Sequence, residues 1–144
     1  MLSKEDVIAE MDHRSQKLIT EGCFDLQSKY PLEVWMPAFI KALPEMKNAM
    51  SRKYVLHFAT RHHDDYPEII PAARNALNDK SWLVREDALG VLAYACDQKS
   101  IEFIAPLLNH SDSRTRECAE RAIKAIRERN RNFFLSPDGS AVWV

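Results

Sequence analysis

An all-α superhelix of about three stacked helical pairs is the fold class this sequence predicts. The central stretch Tyr66 to Ala95 reads as two short amphipathic helices joined by a tight turn. Ile70, Ala73 and Leu77 mark one face of the first, and Val84, Ala88, Val91, Leu92 and Ala95 one face of the second. The pattern recurs on both sides, and two such stripes cannot leave water unless neighbouring pairs stack on them. Composition agrees, with only three Gly in 144 residues and few β-branched runs.

Ser3 to about Gly22 is expected as a capping helix, with Ser3 as N-cap, a stripe of Val7, Ile8, Met11, Leu18 and Ile19, and Gly22 as a C-terminal stop. Cys23 to Pro31 carries Phe24, Leu26 and Tyr30 without a clear period and completes a cap over residues 1–30. Residues 31–65 form a first pair. Trp35 to Leu43 aligns with Ile69 to Leu77 of the central unit, sharing Pro, Ala, Ala and Leu. Its connection, Pro44 to Met50, has no Asp where the central turn has Asp79. Residues 66–97 are the second pair, with the turn Asn78-Asp79-Lys80-Ser81 and Ser81 placed to accept backbone N–H bonds. Residues 98–131 are the third: Ile101, Ile104, Leu107 and Leu108 repeat the first stripe 31 residues on, and Arg116, Ala119 and Ile123 the second. Residues 132–144 end in Ala141-Val142-Trp143-Val144, too apolar to stand in water, so the tail is expected to fold back on the last pair.

Twenty basic and 21 acidic residues give a net charge of −1, which supplies no global field for nucleic acid or an anionic membrane. Cys23, Cys96 and Cys118 are odd in number and widely spaced, a pattern of reduced thiols in a cytoplasmic protein. Met1 to Asp6 runs into a charged amphipathic segment without a secretory signal, and no apolar run reaches about 18 residues.

Pro71, the turn Leu77-Asn78-Asp79, Val84-Arg85, Ala88 and Leu92 together resemble a HEAT repeat, of the kind found in phycobilisome lyase-type HEAT-like proteins. The resemblance implies a right-handed superhelix in which each repeat has an outer A helix and an inner B helix. It also implies a ladder of charge-assisted bonds between turn Asp and B-helix Arg, assigned to Asp79, Arg85, Asp112 and Arg116. Arg52 sits where Arg85 does, but without a turn Asp no ladder contact is expected at that first junction. By the same resemblance, B-helix positions off the stripe face a partner: Lys53, His57 and Arg61, then Glu86, Asp87 and Tyr94, then Glu117, Arg121 and Lys124. Their mixed signs suit a protein surface better than a nucleic-acid groove, which should be uniformly basic.

Trp82, at the edge of the central turn, either anchors a partner or packs on the neighbouring turn. His62-His63-Asp64-Asp65 carries metal-ligand types, but adjacent helix residues diverge, so no metal is expected. No cofactor loop, nucleophile elbow or catalytic pair stands out, and the expected role is non-enzymatic. Small stand-alone proteins resembling this one often act in bacteria as immunity or adaptor proteins, which implies occlusion of a partner such as a toxin domain. The alternative is an enzyme or accessory, either bilin-lyase-like or related to HEAT-like DNA-repair glycosylases.

Overall fold

The computed structural model describes residues 1–144 and contains eight α-helices and no strand. They are α1 (Lys4–Met11), α2 (Gln16–Lys29), α3 (Leu32–Ala42), α4 (Ala49–Ala59), α5 (Ile69–Ala76), α6 (Trp82–Ala95), α7 (Ile101–Ile104) and α8 (Ser113–Arg127). The pairs α3/α4, α5/α6 and α7/α8 form successive layers of an α-α solenoid. The B helices carry the stack, α4 packing on α6 and α6 on α8. No helix is long and apolar enough to cross a membrane.

The N-terminal segment departs from expectation. Ser3 does cap α1, its Oγ accepting from the Asp6 N–H at 3.1 Å while the Asp6 carboxylate takes the Ser3 N–H at 3.0 Å. The helix then breaks at Asp12, and Ser15 caps a second one. The cause is tertiary. The Asp12 carboxylate turns away to accept the N–H groups of Lys47 and Asn48 at 2.8 and 2.9 Å, and Ser51 Oγ donates to the Met11 carbonyl at 2.9 Å. Together they bolt the α1–α2 corner to the start of α4. The cap is therefore a helical hairpin, and the stretch from Cys23 that showed no period is the second half of α2, where Cys23 and Leu26 are buried. Gly22 is not a stop but the crossing point: a Cβ there would lie 2.0 Å from the Glu10 carbonyl oxygen.

In the central layer α6 buries Val84, Arg85, Ala88, Leu89, Gly90, Val91, Leu92 and Ala93, because neighbours cover it on several sides. Ser81 precedes it without a side-chain cap bond, contrary to expectation. Instead Asp79 Oδ1 accepts the Ser81 N–H at 2.9 Å, an Asx turn that serves the same end of the chain. In the third layer α7 is only one turn long and tightens into a 3-10 segment, Ala105–Asn109. Pro106 cannot donate the next α-helical hydrogen bond. Ile104 and Leu107 still reach the core, while Leu108 remains exposed.

α8 closes with the Arg129 N–H on the Ile126 carbonyl and the Asn130 N–H on the Ala125 carbonyl, with Arg129 left-handed at φ 51°. The tail then returns as expected: Phe134 is buried, and Trp143 stacks on it with ring centroids 5.9 Å apart.

Candidate functional site: the B-helix face

The candidate surface is built by α4, α6 and α8 side by side, and its register is set by the arginines near their N-termini. Arg52 donates through Nε and Nη2 to Asp79 at 2.7 and 3.0 Å, a bidentate pair between the first and second layers. This overturns the expectation that the first junction lacks a ladder contact. The acceptor comes from the following turn, so the missing Asp in the first turn does not matter. One layer on, Arg85 reaches Asp112 at 3.4 Å and Thr115 Oγ1 at 3.0 Å.

Each arginine also holds its own turn. Nη1 donates to the Met46 carbonyl from Arg52, to the Asp79 carbonyl from Arg85, and to the His110 carbonyl from Arg116 at 2.7 Å. Arg116, with no fourth layer to grip, makes only this half of the contact. Burial would lift the Asp79 carboxyl, but the Arg52 bonds, the Ser81 N–H and the charges of Arg52 and Arg85 outweigh it and hold it below the usual range. Asp112 is also held low, first by its bond from Thr115.

Further along the B helices the structure joins two of the expected contact residues to each other. Lys53 on α4 meets Asp87 on α6 at 2.8 Å, a strut between adjacent B helices. Burial raises the Asp87 carboxyl, with Lys53 and His57 pulling the other way. His57 stands exposed near Asp87, Arg61 is exposed with its guanidinium carbon 5.8 Å from the Tyr94 ring centroid, Glu86 is half-buried, and Glu117 is exposed on α8. Trp82 lies beneath Arg114 of the next layer, guanidinium carbon 4.4 Å from the ring centroid, and keeps 37% of its surface in water. Packing on the neighbouring turn thus accounts for one face of the ring.

The other three expected residues are engaged by the chain's own tail. Tyr94 takes Arg131 over its ring at 3.7 Å and Trp143 edge-on at 5.2 Å. Lys124 donates to the Pro137 carbonyl at 3.1 Å and sits over Phe133, while Arg121 lies 5.9 Å from the centroid of Phe134. Sequence reasoning placed the tail on the last pair and missed that it crosses onto α6. The signal was Gly90: a Cβ there would stand 3.3 Å from Phe134 and 3.6 Å from Trp143. Its absence gives the tail rings a seat on the helix.

The histidines part company. His62 packs edge-on to Trp35, whereas His63 contacts Tyr94 and lies 3.2 Å from Asp64. The thiols are held protonated by burial, Cys23 to about 12, with Cys96 and Cys118 also raised.

Residues 70–132 match the family model for HEAT repeats. That span starts inside α5 and runs past α8, so it takes in the two layers with a turn Asp and leaves out the layer without one. Neither a curated protein nor a solved structure matches the chain.

Proposed function

From the premise that the chain is a HEAT-like helical repeat protein, we propose that it is a non-enzymatic module whose B-helix face docks a folded protein. The observation that carries the reading is the Lys53–Asp87 strut between adjacent B helices, with His57 on α4, Arg61 just after it, Glu86 on α6 and Glu117 on α8 adding charge and polarity along the same three helices. Charges of both signs are held on helices whose spacing is already set by the Arg52–Asp79 and Arg85–Asp112 contacts. Such a surface gives up little conformational entropy on docking, and alternating signs reward one partner and penalise others. In its narrower form the proposal is that of a cytoplasmic bacterial inhibitor, an immunity protein that covers the active site of a partner such as a toxin domain. A rigid pre-formed face supports it, since occlusion needs a cover that does not reshape itself.

Capture from an extract of the native host tests the reading. The wild-type chain should retain one protein, identified by mass spectrometry, and a variant with Arg61→Glu and Glu117→Lys should lose it while keeping its helical circular dichroism. Recovery of duplex DNA or a coloured tetrapyrrole in place of a protein would overturn the proposal in favour of a glycosylase-like or bilin-lyase-like role.

A further inference from the structure

A cleft of about 820 Å³ opens between the first and second layers, on the side of the A helices and their turns. None of the residues assigned to the B-helix face lines it. Its origin can be read by comparing equivalent positions. Arg74 on α5 spans the gap to the third layer, donating to Asp97 at 2.6 Å and Ser100 at 3.0 Å and covering Phe103. The residue aligned with it in the first layer is Ile40, which is short and apolar, and it faces Ala72 and Ala76, small side chains that leave the gap open.

The walls have two characters. Ile40, Leu43, Met46, Ala72 and Ala76 supply an apolar surface. Lys47 and Lys80, both exposed, supply cationic groups at its edge, and Asn75 and Asn78 supply amides able to donate and accept. The one acid in the lining, Asp79, is already neutralised by the bidentate Arg52 at the floor. In a chain of net charge −1 this is a local positive site on an apolar floor. Its volume lies within the roughly 300–1,000 Å³ of ligand clefts.

We infer that this cleft binds a short acidic peptide segment. Carboxylates would pair with Lys47 and Lys80, an apolar side chain between them would lie on Ile40, Ala72 and Ala76, and the peptide backbone would bond to Asn75 and Asn78. This surface is separate from the B-helix face, so either assignment stands if the other fails.

The test uses the full ¹⁵N-labelled chain titrated with an N-acetylated pentapeptide of alternating glutamate and leucine, with a lysine-for-glutamate peptide and inorganic phosphate as controls. The glutamate peptide is expected to shift the amides of Lys47, Asn75, Asn78 and Lys80, and the lysine peptide to leave them unmoved. Lys47→Glu with Lys80→Glu should weaken binding at least tenfold. Ile40→Arg, which puts into the gap the side-chain type that Arg74 carries one layer on, should abolish it. Unspecific attraction would instead grow with that added cation, so retained or tighter binding by a folded Ile40→Arg chain would overturn the inference. So would the absence of shifts at millimolar peptide, shifts centred on α4, α6 and α8, or phosphate binding as strongly as the peptide.

Discussion

Arg52 and Asp79, 27 positions apart in sequence, meet as a bidentate pair with only 9% and 13% of their side-chain surfaces exposed. Removing one partner strands the other charge away from water. Asp79→Asn should lower the unfolding free energy by about 3 kcal/mol in chemical denaturation. Arg116→Ala, at the end of the ladder, forfeits only bonds to its own turn and should cost about 1 kcal/mol. Equal losses at the two sites would mean that the layers are not keyed as described.

The carboxylates set the pH response. Asp12, Asp79 and Asp97 are all held below the ordinary value of 3.8, because hydrogen bonds and arginine charges outweigh the burial that would raise them. A group depressed in the folded state adds stability above its unfolded pKa and loses it as pH falls through the folded one. Asp87, lifted by burial, acts oppositely: its contribution falls as pH rises from 3.8 through its folded pKa. Asp112 is held low as well, so the depressed carboxyls outnumber the raised one and stability should drop as pH falls below 3.8. The drop should be smaller in Asp79→Asn. Carboxyl titration by NMR should place Asp79 below 3.8 and Asp87 above it.

Gly22 is where α2 crosses α1, and the obstacle to a methyl group is the Glu10 backbone carbonyl, not a side chain that can swing aside. Gly22→Ala should therefore cost more than about 3 kcal/mol, despite alanine's better helix propensity. A neutral effect in thermal unfolding would show that the hairpin packs more loosely.

Arg129 is exposed and left-handed at the end of α8. Glycine adopts that conformation without strain, so Arg129→Gly should raise stability by about 1 kcal/mol. A loss would contradict the assigned helix ending.

Trp143 ties the tail down through Phe134, Tyr94 and a bond from Nε1 to the Arg131 carbonyl at 3.0 Å. Trp143→Ala should cost about 2 kcal/mol locally and speed amide exchange over residues 131–141. Exchange in the core of α6 should not change. Unaltered exchange in the tail would mean that Phe134 holds it alone.

The repeated layers were legible because periodic apolar residues on successive helices need one another for burial, and Pro37/Pro71 and Asp79/Asp112 mark the repeat directly. The break at Asp12 was not, since the groups that end the helix, Lys47 and Asn48, lie more than 30 positions away. Likewise Arg52 looked unpartnered only because its acceptor belongs to the next turn. At the site, the family resemblance placed Lys53 and Asp87 on one face but could not say that they pair, and apart from Gly90 nothing near Tyr94, Arg121 and Lys124 marks them as lying under the tail. Long-range pairing decides these points, and a helical period does not carry it.

The most direct test of the account is hydrogen exchange of the chain with and without the protein it captures from its native host. Protection should appear on α4, α6 and the first half of α8, around His57, Arg61, Glu86 and Glu117. Protection confined to α1, α2 or the A helices, with the B-helix face exchanging as in the free chain, would contradict it.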